Sequence, residues 1–110
     1  MSTRGPALDG LILNPVEGST PAKTAWVVAR QHPGETMAEW WMEGFLARLL
    51  DGSDALAAKL RGAFRFYVVP NMNPDGSVRG HLRVNAVGAN LNREWETPTL
   101  ERSQIGRAHV

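Results

Sequence analysis

Two periods of apolar residues divide this chain. Leu11, Ile12 and Leu13 form a short apolar run between Gly10 and Asn14–Pro15, which predicts a strand over about 10–14. Pro15 to Pro21 reads as a turn. Residues 24–30 carry Trp26, Val27 and Val28 and stop at Pro33–Gly34, as a buried strand of a parallel or mixed sheet does. The period then lengthens. Met37, Trp41, Phe45 and Leu49 recur four apart, with Ala38, Met42 and Leu46 beside them, which predicts one broad apolar helix face ending at Asp51–Gly52. Thr36 and Glu39 have the spacing of a capping box at its start. Trp26 and Trp41 are expected in the core, and Trp40 off the apolar face. A shorter helix follows from about Asp54 to Arg61, then a strand from Phe64 to Pro70. Strand, helix and strand at this spacing predict a βαβ unit with parallel strands and a right-handed crossover. Beyond Asn71 the chain reads mostly as loop, with Asn73-Pro74-Asp75-Gly76, Gly80, Gly88 and the asparagines 85, 90 and 92. The expected class is α/β, a partial mixed or parallel sheet with flanking helices. So few strands leave apolar faces uncovered, so poor solubility is expected.

Composition narrows the function. The 110 residues hold 12 Lys+Arg against 11 Asp+Glu, and only Lys23 and Lys59 are lysines. Nothing forms a basic patch, so no nucleic-acid partner is expected. There is no cysteine, which excludes disulfides, thiolate metal sites and a Cys nucleophile. No apolar run approaches the ~18 residues of a membrane span, and the N-terminus lacks the apolar centre of a signal peptide. The expected location is the cytoplasm, with no membrane partner.

In a βαβ unit the loops after the strands' carboxyl ends are the usual ligand sites. Both such loops are rich in chemistry here. His32-Pro33-Gly34-Glu35 places an imidazole and a carboxylate three apart at a strand-to-helix turn, a donor set suited to Zn²⁺. The plain alternative is a strand-ending His and an acidic residue near a positive helix N-terminus. A third ligand is needed, and His81 is the local candidate, although a solvated loop His is the more ordinary reading. The second loop holds Arg79, Arg83 and Arg93, any of which suits a carboxylate or an oxyanion, or simply solvent. No nucleophile elbow or phosphate-binding loop is present.

Three stretches in order carry a resemblance: Arg30-Gln31-His32-Pro33-Gly34-Glu35-Thr36, then Val69-Pro70-Asn71-Met72-Asn73-Pro74-Asp75-Gly76, then Gly88-Ala89-Asn90-Leu91-Asn92-Arg93-Glu94-Trp95. Together they resemble the zinc carboxypeptidase family, in its cytosolic carboxypeptidase-like branch, over about residues 24–103. The resemblance implies that His32 and Glu35 are the first two zinc ligands. It implies that Arg83 polarises the scissile carbonyl and stabilises the oxyanion, and that Asn92 and Arg93 hold the terminal carboxylate of a peptide or protein substrate. It also implies a second zinc His and a catalytic Glu downstream, and a β-rich domain upstream, for which these residues have no counterpart. The expected organisation is therefore a partial strand and linker over 1–23 and the first part of a catalytic domain over 24–104, a truncated zinc-carboxypeptidase-like (phosphorylase/hydrolase-like) fold. Residues 105–110 back-translate naturally to a common sequencing adapter and are expected to be foreign. The function implied is a zinc-dependent metallocarboxypeptidase, inactive as this piece alone. The competing readings are an aspartoacylase-like zinc amidohydrolase and a carboxylate-binding module without catalysis.

Overall fold

A computed structural model describes residues 8–15 and 23–97. The tail 105–110 and most of the turn before Pro21 lie outside these residues. The elements run β1 (Leu11–Leu13), β2 (Lys23–Val28), α1 (Met37–Leu49), α2 (Ala55–Ala63), β3 (Phe64–Val69) and α3 (Pro74–Arg79), then a 3-10 turn at Leu91–Arg93. The three strands form one sheet in the order β1-β3-β2. β2 pairs parallel with β3, Ala25 opposite Phe66 and Val28 opposite Val69. β1 pairs antiparallel with β3, Ile12 opposite Tyr67. The sheet is thus mixed, and the α/β class holds.

Side chains alternate across a strand, and here the two sheet faces have different fates. Ala25, Val27, Phe66 and Val68 point to the helices. There Ala29, Met42, Leu49, Phe66 and Val68 form the buried cluster, with Leu13, Ala38, Phe45, Leu46, Leu60 and Phe64 against it. Burial of a residue such as Met42 stabilises by roughly 1.5–3 kcal/mol. On the other face, Trp26 stacks on Tyr67 at 4.6 Å between ring centroids and stays 57% exposed. Trp26 is therefore not a core residue. Its place in the alternation, out of phase with Ala25 and Val27, turns it away from the helices.

The apolar face of α1 is also shifted from the sequence expectation. Ala38, Met42, Phe45, Leu46 and Leu49 face the sheet, while Met37 and Trp41 are 63% and 56% exposed. A stripe through residues 38, 42, 45 and 49 competes with one through 37, 41, 45 and 49, and packing on β3 selects the first. Trp41 stacks on Phe45 instead of entering the core. Trp40 is exposed, as expected.

The expected capping box does not form. Thr36 is already in the helical region, at φ −59° and ψ −29°, and its side chain makes no cap. Glu39 is drawn elsewhere, to Arg30 and Asn71. α2 has the better cap: the Asp54 carboxylate accepts the Ala57 N–H at 2.9 Å. The Arg61 guanidinium donates to the Leu49 carbonyl, one of those α1 leaves free at its end.

The region after Asn71 is mostly loop, as expected, but one short helix, α3, interrupts it. Its signals are local: Asn73 caps the Gly76 N–H, Pro74 occupies the first helical position, and Gly80 ends it at φ 72°.

Candidate active site

Parallel pairing of β2 and β3 puts the turn after β2 beside the loop after β3. Backbone bonds fasten the two: Ala29 N–H donates to the Val69 carbonyl at 3.0 Å, and Met72 N–H to the Ala29 carbonyl at 2.9 Å. Arg30 then turns the chain with φ 50°. Pro33 is fully buried, and Glu35 N–H closes onto the His32 carbonyl at 3.1 Å. Gly34 donates to the Leu82 carbonyl at 2.9 Å. A Cβ on Gly34 would stand 3.0 Å from that carbonyl oxygen, so glycine is what lets the distal loop lie across the turn.

The distal loop is braced from within. Asn85 is fully buried, and its side-chain oxygen accepts from Val87 N–H at 3.1 Å and Ala89 N–H at 2.9 Å. Gly88 supplies the left-handed turn at φ 80°. Val84 bridges to Asn90 across it. Asn90 then caps the 3-10 turn, its Oδ1 accepting the Asn92 N–H at 3.1 Å.

These ties bring two motifs into contact. His32 Nδ1 lies 3.3 Å from Glu35 Oε2, and His32 Nε2 lies 3.2 Å from Asn90 Oδ1. The second contact fixes the first. Asn90 Oδ1 is an acceptor, because it takes the Asn92 N–H. His32 Nε2 must therefore carry the proton it donates there. In neutral His32 this leaves Nδ1 as a bare lone pair facing a carboxylate oxygen. Two electron-rich atoms at this separation call for a cation: a proton on Nδ1 or a metal ion between them.

Asn92 lines the same open hollow of about 420 Å3 as His32, Glu35, Val28 and Trp41. Arg83 is exposed, between Leu82, which is bonded to Gly34, and Val84, which is bridged to Asn90. Arg93 is exposed and donates to the Asn92 carbonyl at 3.3 Å. Neither arginine is a wall of the hollow. His81 is not a third ligand. Its Nδ1 faces the carbonyls of Val84 and Asn85 at 3.3 and 3.2 Å, where it braces the loop. Among the described residues, no three His, Cys, Asp or Glu side chains come together as a metal site.

Asn90 stands within the third motif stretch, but the resemblance gives it no role. Its signal was the Asn-Leu-Asn spacing, which reads as an Asx cap. Gln31 was also missed: its Oε1 accepts from Trp95 Nε1 at 3.0 Å, joining the turn to the end of the third motif.

The sequence pattern of the zinc carboxypeptidase family matches residues 1–108. The chain belongs to the zinc carboxypeptidase family. It is 60% identical over 99 residues to an uncharacterised protein of Zymomonas mobilis, covering 90% of this chain and 26% of that protein. It is 45% identical over 76 residues to cytosolic carboxypeptidase 1 of Xenopus laevis, covering 69% of this chain and 6% of that one. Its structure superposes on a metallo-carboxypeptidase from Burkholderia cenocepacia with a TM-score of 0.78 at 51% identity, over 90% of this chain and 27% of that one. The chain thus spans about a quarter of the length of these bacterial relatives. No helix among the described residues is long and apolar enough to cross a membrane.

The family name implies zinc, and the site's geometry suits it. Zinc binds imidazole nitrogen and carboxylate oxygen at about 2.0–2.2 Å, so two tetrahedral ligands lie about 3.4 Å apart. His32 Nδ1 and Glu35 Oε2 are 3.3 Å apart. Asn90 on the opposite ring nitrogen has the place of the partner that orients a ligating imidazole.

Proposed function

We propose that this chain carries the first zinc ligands and the carboxylate-binding pair of a zinc-dependent carboxypeptidase. In this reading His32 Nδ1 and Glu35 hold the metal, and Asn90 keeps His32 in the tautomer that presents Nδ1. Asn92 and Arg93 receive the free carboxylate of a peptide or protein C-terminus. An Arg beside an Asn amide suits that group through charge-assisted hydrogen bonds. Arg83, exposed next to the turn, supplies positive charge to the scissile carbonyl as it becomes an oxyanion. Bound zinc would supply a polarised carbonyl and an activated water. The observation that carries the reading is the 3.3 Å approach of His32 Nδ1 to Glu35 Oε2, with Asn90 on the opposite ring nitrogen.

Titration of the purified chain with zinc chloride tests it. One equivalent is expected to bind, with an affinity below that of a site with three protein ligands. His32→Ala and Glu35→Ala should each abolish binding, and Asn90→Ala should weaken it about 10-fold. Retained binding in both ligand variants would sink the assignment. With two ligands among the described residues, the chain alone should not release C-terminal residues from peptides. Zinc-dependent release by the purified chain would show that its catalytic set is complete.

A further inference from the structure

Among the described residues, Arg30 is the one non-glycine with a positive φ, at 50°. The backbone alone would choose glycine there. A left-handed residue with a side chain persists only where its surroundings hold it. Both neighbours are tied to the loop after β3: the Ala29 carbonyl accepts from Met72 N–H, and the Gln31 carbonyl from Asn73 Nδ2 at 3.2 Å. The side chain supplies the other restraint. It is 15% exposed, its Nε donates to the Pro33 carbonyl at 2.9 Å, and its Nη1 meets Glu39 Oε2 at 2.8 Å. Glu39 Oε1 in turn accepts from Asn71 Nδ2 at 3.0 Å.

We infer that Arg30 is a positioning residue that sets the spacing of His32 and Glu35. The inference rests on the reading of these two as metal ligands. Pro33 lies between them in sequence, and Glu39 belongs to the first turn of α1, four residues after Glu35. One planar guanidinium therefore joins the middle of the ligand turn to the helix that continues it. Two donors in a fixed plane do this together; a lysine ammonium has no such fork. The Asn71 contact extends the restraint to the loop after β3. The rival account is an ion pair that merely stabilises the start of α1, and it predicts different results.

The test compares the wild-type chain with Arg30→Gly and Arg30→Lys, using zinc chloride as the probe. Glycine accepts the positive φ freely, so the zinc-free melting temperature of Arg30→Gly should stay close to wild type. Its zinc affinity should fall about 10-fold or more. Arg30→Lys keeps a cation beside Glu39 but loses the fork, and should lose affinity in the same range. A readout without metal is the ring-nitrogen NMR of His32. Wild type should hold a slowly exchanging Nε2–H on Asn90 Oδ1, and both variants should exchange it faster. Unchanged zinc affinity and unchanged Nε2–H exchange in Arg30→Lys would overturn the inference, and this variant decides the matter if Arg30→Gly does not fold. A lowered melting temperature with unchanged affinity in Arg30→Gly would favour the rival account and overturn it too. Failure of the ligand reading looks different: zinc then still binds to His32→Ala and Glu35→Ala.

Discussion

Gly76→Ala is the sharpest probe of how the site is assembled. A Cβ at this position would stand 2.4 Å from Pro33 Cγ, 2.5 Å from the Val84 carbonyl oxygen and 2.7 Å from Asn73 Oδ1. Ordinary carbon contacts begin at about 3.5 Å, so something must move by about 1 Å. None of the three neighbours moves cheaply. Pro33 is fully buried in the ligand turn, Val84 is bridged to Asn90, and Asn73 Oδ1 is the cap of α3 itself. Overpacking costs about 1–3 kcal/mol, and this arrangement belongs at the upper end. The better helix propensity of alanine offsets at most about 1 kcal/mol. The net loss is about 2 kcal/mol, or roughly 8 °C in melting temperature at about 4 °C per kcal/mol. The displacement falls on Pro33, between the two ligands, so zinc affinity should fall as well. The matched control is Gly44→Ala, in the middle of α1, where a Cβ meets nothing within 4 Å. That change should stabilise by about 0.8–1 kcal/mol through propensity alone. Thermal unfolding of both variants by circular dichroism decides the point. If Gly76→Ala melts at or above the Gly44→Ala temperature, the close approach of α3, Pro33 and Val84 is wrong.

Asn73→Ala removes the α3 cap and leaves the Gln31 carbonyl without its donor at a fully buried position; a loss of about 2 kcal/mol in urea unfolding is expected. The Asp54 carboxyl is held below the usual carboxylate range, mostly by the Ala57 N–H and then by Arg48. A lowered folded pKa gives stability that is present above the ordinary Asp range and lost as pH falls through the lowered value. Asp54→Asn keeps an acceptor without a charge, so its deficit against wild type in thermal melts should close on acidification, and a gap that ignores pH would contradict this. The sheet face bearing Ile12, Trp26 and Val28 is 40–59% exposed at those residues, so sedimentation should show association that rises with concentration. Trp26→Arg should reduce it, whereas association unchanged by that substitution would place the contact elsewhere.

Strand and helix existence was legible because the periods were clean. The runs around Leu11–Leu13, Lys23–Val28 and Phe64–Val69 and the long repeat of α1 all lie where the pattern put them. What the pattern could not decide was which residues of an element face the core. Trp26 is as apolar as its neighbours, yet the pleat puts it on the side opposite Ala25 and Val27. Met37 and Trp41 share a stripe with Phe45 and Leu49, yet the helix rolls so that Met42 takes the centre. Hydrophobicity sets the period of an element; its phase is set by the partner it packs on. α3 failed for another reason. Asn-Pro-Asp-Gly is a turn signal and also a helix start, and the choice depends on the residues that follow. Glu39 shows the same competition in a side chain. Its spacing from Thr36 suits a capping box, but Arg30 and Asn71 offer a charged partner and a second donor, and these win.

The site was legible in its motifs and illegible in its connections. His32 and Glu35 stand in one short stretch, so their meeting needs only a turn. Their meeting with Asn90, 58 positions from His32, needs the topology. Parallel pairing of Val28 with Val69 brings the ends of β2 and β3 to one edge of the sheet, so the chain after each strand emerges at the same place. Gly34 and Gly76 then allow the distal loop to cross within contact of the turn, the first under Leu82 and the second under Val84. That crossing delivers Asn90 to His32 Nε2. It also explains why the asparagines 73, 85 and 90 are concentrated here. Each takes backbone N–H groups on its side-chain oxygen, at Gly76, at Val87 and Ala89, and at Asn92. Irregular backbone near a sheet edge has few ladder partners, and short amide side chains supply the acceptors it lacks. Asn90 differs from the other two, because the same oxygen that caps the turn also sets the proton on His32. A scaffold residue is thereby tied to the chemistry of the ring. Asn90→Asp would keep both acceptor functions on a side chain of nearly the same shape, whereas Asn90→Ala removes them. The Asp variant should therefore retain zinc affinity closer to wild type than the Ala variant, which should lose about 10-fold. Calorimetric titration of the two variants measures the difference, and an equal loss in both would refute the role of the Asn90 oxygen in presenting Nδ1.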